Sequence, residues 1–91
     1  SVFIPNAFTP NGLGPNEVFQ PVVRNLSYYE FYIFDRWGEL LFHSTDSNEG
    51  WDGTHKGKKC PVDVYVWKIK YSDYLEPDKV HRKYGQVTLI R

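Results

Sequence analysis

Hydrophobic and polar positions alternate with a period of two along most of this chain, and nowhere sustain a period of 3.6. The alternating stretches are short, rich in Val, Ile, Tyr, Phe and Trp, and separated by clusters of Gly, Pro, Asn and Asp. They predict strands over residues 2–4, 18–23, 29–36, 39–44, 64–71 and 83–91. Residues 45–49 offer one helical turn and no more.

Three stretches carry most of the architectural information. In "FYIFDRWGELLF" two apolar runs flank Asp35-Arg36-Trp37-Gly38-Glu39, with Gly38 where a short hairpin loop wants positive φ. In "VYVWKIKY" Tyr65, Trp67, Ile69 and Tyr71 share one face, while Val64, Val66, Lys68 and Lys70 share the other. The lysines wet that second face, so the aromatic face points inward. In "YGQVTLIR" Val87 and Leu89 alternate with Gln86 and Thr88, a half-buried strand. Pro21 inside the second predicted strand marks an edge or a bulge. Short antiparallel strands at this spacing predict an all-β fold, an immunoglobulin-like β-sandwich of about seven strands. A small barrel is the competing architecture. Two long connections remain, 45–63 and 72–82.

At 91 residues the chain is one domain with little core to spare, and 18% aromatic content puts the burden of packing on rings. Lys+Arg and Asp+Glu balance at 11 each, so no basic field exists to hold nucleic acid. No apolar run is long enough to span a bilayer, so no membrane insertion is expected. The chain begins inside a predicted strand, as expected of a domain excised from a larger protein. Cys60 has no partner for an internal disulfide and reads as a buried thiol.

Candidate chemistry is sparse. "NAFTPNGLGPNEVF" is as dense in Asn, Gly and Pro as a calcium loop, with amide oxygens at Asn6 and Asn11. Its only carboxylate is Glu17, which is too little charge to offset dehydration of a divalent cation. A turn held by Asn and Gly preferences is the better reading. His43, His55, His81 and Cys60 match no zinc spacing. There is no G-x-S-x-G, and Asp35, Asp46, Asp52 and Asp63 sit at turns where Asp is structurally ordinary. No cofactor, metal site or catalytic residue is expected, and an enzyme is not. Trp51, in a loop, is either an anchor packed back on the sandwich or a sugar- or protein-binding platform; the Asp52-Gly53 turn, which folds the ring back, favours the anchor, and Trp37 reads similarly. Arg36 is placed to stack on a ring or to pair with Asp52.

Four stretches in order, "IPNAFTPNGLGPNEVF", "FYIFDRWGELLF", "WDGTHKGKKCPVDVY" and "YGQVTLIR", resemble the gliding motility-associated C-terminal domain, the type B sorting domain of the bacterial type IX secretion system. The resemblance covers essentially the whole chain, 1–91. Residues matching as they stand are Asn6, Pro10, Asn11, Gly12, Gly14, Asn16, Arg36, Trp37, Gly38, Trp51, Asp52, Gly53, Gly85 and Arg91.

The resemblance implies a C-terminal domain of a large secreted or surface protein of a Bacteroidota-type organism. It further implies an N-terminal passenger of any activity, carried through the periplasm and across the outer membrane. The expected partners are the type IX translocon and its outer-membrane shuttle proteins. Two departures stand out. The family usually reads N-G-D-G-x-N-D in the first loop, where Leu13 replaces the first Asp and Glu17 the second. The turn before "VY" usually carries Gly, replaced by Asp63, which is tolerated if it adopts the left-handed conformation.

Recognition is expected to use a surface of the folded domain that includes the last strand and its end at Arg91, the strand offering unpaired backbone groups to a partner. The plainer alternative is that Val87 and Leu89 complete the core and Arg91 is solvated. A second function class is a carbohydrate-binding or adhesion module, for which Tyr28, Tyr29, Tyr32, Tyr71, Tyr74 and Tyr84 could supply a platform.

Overall fold

A computed structural model describes residues 2–14 and 17–91; Asn16 lies outside them. Nine strands and no helix occur among the described residues. Four are long: β4 (Leu26–Phe34), β5 (Leu40–Ser44), β8 (Asp63–Asp73) and β9 (His81–Leu89). Five have two residues each: β1 (Val2–Phe3), β2 (Ala7–Phe8), β3 (Val22–Val23), β6 (Thr54–His55) and β7 (Lys58–Lys59). The long strands and β2 form one sheet in the order β2-β9-β8-β4-β5. All its pairs are antiparallel except β2 with β9.

The alternation read from the sequence sets the faces of this sheet. Tyr29, Phe31 and Ile33 on β4, Tyr65, Ile69 and Tyr71 on β8, and Val87 and Leu89 on β9 all point to one side and are buried. A second layer covers that side. It consists of the β1–β3 ribbon, the Phe19–Trp51 bridge and the β6–β7 hairpin. Phe19 and Trp51 exchange two backbone hydrogen bonds of 2.8 and 2.9 Å, and their rings drop into the core. Phe8 stands 5.5 Å from Trp51 and 5.9 Å from Phe19, and Phe19 stands 5.5 Å from Phe31. Tilted ring pairs at these separations are favourable beyond the area they bury. The architecture is a two-layer β-sandwich with an aromatic seam.

Local chemistry explains the turns. Gly38 closes the β4–β5 hairpin at φ +88°. Lys56 and Gly57 both adopt positive φ between β6 and β7, as a two-residue hairpin requires. Pro21 is buried just before β3, in a two-stranded ribbon where its missing N–H breaks no ladder. Residues 45–49 form a turn in which Glu49 N donates to Asp46 O.

Several expectations need correction. Ala7–Phe8 form strand β2 where the sequence predicts only a turn, and the long connection 45–63 contains the β6–β7 hairpin. Predicted strand 18–23 is reduced to the Phe19 bridge and β3. Asp63 is not left-handed but opens β8.

Candidate functional site

The family-like motifs divide into a buried set that ties loops together and an exposed set that faces outward. The buried set centres on "WDGT". Trp51 packs edge-on against Tyr65 at 5.0 Å, and its Nε1 donates to Thr54 O at 2.9 Å. Asp52 Oδ1 accepts from Thr54 N and Thr54 Oγ1 at 3.0 and 2.6 Å, which closes the turn. Gly53 has φ +83°, and a Cβ there would meet Pro10 Cγ at 3.0 Å and Leu89 Cδ1 at 3.2 Å. Only glycine lets the WDG turn seat against the first loop and the last strand.

Arg91 locks the same junction. Its guanidinium donates to Pro10 O at 3.0 Å and Cys60 O at 2.7 Å, with Gly53 O at 3.4 Å. The side chain therefore fastens the first loop, the WDG turn and the residue entering Pro61, and is not simply solvated. The end of β9 is also enclosed. Residues 88 and 89 pair with β8 on one side and β2 on the other. At residues 88 and 89 the outer edge of β9 is thus already paired with β2, whereas the earlier part of β9 pairs among the described strands with β8 alone. Further back, Gly85 lets the Trp67 ring lie across β9, since a Cβ at Gly85 would sit 2.8 Å from Trp67 Cζ2. The Trp67 indole N–H then donates to Gln86 O at 3.2 Å.

The first loop is closed by its own acid. Glu17 accepts from Gly12 N at 2.8 Å and Gly14 N at 3.0 Å, and Leu13 N donates to Asn11 Oδ1 at 2.9 Å. Those backbone bonds, from Gly14 and Gly12 above all, hold the Glu17 carboxyl below its ordinary range. Both carboxylate oxygens serve the loop, and Leu13 points outward, 86% exposed. Among the described residues no three potential ligands cluster to hold a metal.

The exposed set is the β4–β5 hairpin. Asp35 Oδ1 accepts from both Trp37 N and Glu39 N at 2.9 Å, Gly38 N donates to Asp35 O at 3.1 Å, and Asp35 N donates to Glu39 O at 3.0 Å. Four hydrogen bonds thus fix a five-residue turn, yet the ring it carries contributes nothing to the core. Trp37 is 84% exposed, contrary to the expectation that it folds back like Trp51. Arg36 lies 5.8 Å from the centre of the Trp37 ring and 3.8 Å from Asp63, not against Asp52.

Beside this hairpin opens a cavity of about 180 Å³ lined by Asp35, Arg36, Trp37, Leu41, His55, Cys60, Pro61, Asp63 and Tyr65. The Tyr65 ring in its lining is fixed, because Tyr65 Oη donates to Pro61 O at 2.6 Å. Burial pushes the Tyr65 phenol up to about 12 and raises the Cys60 thiol, so neither ionises near neutral pH. His55 Nδ1 donates to Leu41 O at 3.3 Å, while its buried Nε2 has no hydrogen-bond partner. A larger depression of about 290 Å³, lined by Gln20, Pro21, Val22, Val23, Ser47 and Asn48, holds no ionisable side chain and none of the motif residues. The cleft by Trp37 joins the apolar surfaces of Trp37, Leu41, Pro61 and Tyr65 to the charged side chains of Asp35, Arg36 and Asp63.

Sequence reasoning placed Arg36, Trp37 and Gly38 together but missed the lining contributed by Leu41, His55, Pro61 and Tyr65. No curated protein and no solved structure matches this chain. A family model does match, over residues 2–89. Through that match, which spans the WDG turn and the Trp37 hairpin alike, the chain belongs to the CHU_C family of type IX secretion signal domains.

Proposed function

We propose that this domain directs an N-terminal passenger across the outer membrane by being bound, as a folded unit, by the type IX translocon or its outer-membrane shuttle, and that the Trp37 hairpin with its adjoining cleft is the surface bound. The observation that carries this reading is Trp37 itself. A ring 84% exposed on a turn fixed by four hydrogen bonds gains nothing for folding. It is pre-organised for insertion into a partner, and tryptophan and arginine are both enriched at interface hot spots. The Arg91 junction has the complementary role of holding the loops that frame the cleft. The family assignment supports export as the purpose, and the buried thiol and phenol fit a module without chemistry of its own.

The test is export of a folded fluorescent reporter bearing a signal peptide upstream and residues 1–91 downstream, in hosts with and without the translocon. Reporter outside the cell only when the translocon is present is the expected result. The W37A variant should remain in the periplasm, with a stability unchanged within about 0.5 kcal/mol, as for a surface substitution. Normal export of stably folded W37A would move recognition to another surface. Failure of the unmodified domain to be exported in a competent host would remove the sorting reading altogether.

A further inference from the structure

The face of the five-stranded sheet turned away from the core is built differently from the rest of the surface. Its middle row crosses four strands through the register His43–Tyr32–Lys68–Tyr84. At a strand spacing of about 4.8 Å this row is roughly 14 Å long. The next row holds Glu30, Lys70 and Arg82. Lys68 Nζ and Lys70 Nζ both lean over the Tyr32 ring, 5.8 and 5.7 Å from its centre, and Phe34 stacks beside it at 6.2 Å. Tyr84 is 73% exposed, next to Lys68 in the register.

Charge is segregated onto this face although the chain as a whole is neutral. Of the 11 Asp and Glu residues, only Glu30 stands within the face; the others occupy loops or strand ends. Glu30 is itself occupied, accepting from Tyr28 Oη and from Tyr32 Oη at 2.8 Å and meeting His43 Nε2 at 3.0 Å. The phenols that would otherwise compete for a ligand are turned to that carboxylate. What remains displayed is the open Tyr84 ring beside the cations Lys68, Lys70 and Arg82.

We propose that this outer sheet face binds an acidic polysaccharide. A pyranose presents an apolar C–H face that lies flat on a phenol ring, while its carboxylate projects from the rim of the ring. The surface offers both complements side by side, the exposed Tyr84 ring next to Lys68, with Lys70 and Arg82 in the adjoining row. The row is long enough for a short run of sugars, and its openness suits a polymer better than a small molecule. An acidic peptide would use the cations but has no need of the flat, exposed Tyr84 ring. This inference is independent of the export surface, since Trp37 lies on the hairpin beyond the end of β4.

The test uses the 91-residue chain with polygalacturonate as probe, dextran as the neutral control and poly-L-glutamate as the acidic-peptide control, read by calorimetry and by amide shifts. Binding to polygalacturonate alone is expected, with shifts concentrated on β4, β8 and β9. The Y84A variant should weaken it about threefold or more, and K68Q/K70Q on the order of tenfold. Urea midpoints check that both variants fold, and the unmodified chain's shift map serves if either does not. Absence of binding overturns the proposal. Equal binding of poly-L-glutamate, or shifts scattered over the loops, overturns it as well, by showing a generic polyanion contact.

Discussion

Replacing Arg91 with alanine tests whether the end of the chain is a clasp or a solvated tail. The guanidinium makes two good charge-assisted hydrogen bonds, to Pro10 O at 3.0 Å and Cys60 O at 2.7 Å, and a weak third to Gly53 O at 3.4 Å. Bonds of this kind contribute about 1.5 kcal/mol each or somewhat more in net terms. Arg91 as a residue is exposed, so solvent competes for it and the lower figure applies. Two full bonds and a fraction of a third come to about 3 kcal/mol, and partial rehydration of the freed carbonyls brings the expected loss to about 2–3 kcal/mol. For a domain of this size that lowers the melting temperature by about 10–20 °C. R91K retains the charge, but one ammonium cannot span three diverging carbonyls, and should lose about half as much. Urea unfolding followed by tryptophan fluorescence measures both. A loss under about 0.5 kcal/mol for R91A would refute the clasp and restore the solvated reading.

Two further substitutions probe the sheet. G85A forces a methyl to within 2.8 Å of Trp67 Cζ2, so it should displace the indole, break its bond to Gln86 O and destabilise by about 1–3 kcal/mol, seen in urea unfolding and in the loss of the Trp67 indole shift. Hydrogen bonds from Tyr28, Tyr32 and His43, in that order, hold the Glu30 carboxyl down at about 2 from its ordinary 4.5. Its charged form is thus favoured by folding, and the contribution is complete above about pH 4.5 and lost as pH falls through about 2. E30Q should flatten the pH dependence of stability across that window, measured by urea midpoints between those limits, and an unchanged acid limb would show that other carboxylates set it.

The long strands, their faces and the β4–β5 turn were legible in the sequence because each rests on local information. Alternation with a period of two fixes which side chains share a face, and Gly38 marks the one residue that must take positive φ. Trp51 was read correctly as an anchor for the same reason, since the Asp52-Gly53 turn is written beside it. The two-residue strands could not be read this way. Ala7 and Phe8 become a strand only because the end of β9 presents Thr88 and Leu89 to them, and a pair of residues has no period. The β6–β7 hairpin left one clue, Gly57 after Lys56, within a connection otherwise without pattern.

Exposure was decided by tertiary structure alone. Trp37 and Trp51 sit in similar contexts, Trp before or within a Gly-bearing turn, yet one is 84% exposed and the other 1%. The difference is that the β4–β5 turn projects beyond the end of the sheet, whereas the WDG turn lies over it. Arg91 meets Pro10 across 81 residues of sequence, a contact invisible until the strands between them are paired. Likewise, the alternation determined that Tyr32, Lys68 and Tyr84 face outward, but only the register of β4, β8 and β9 aligned them into one row. Local spacing sets direction along a strand, while neighbours across strands are set by the closure of the whole sheet.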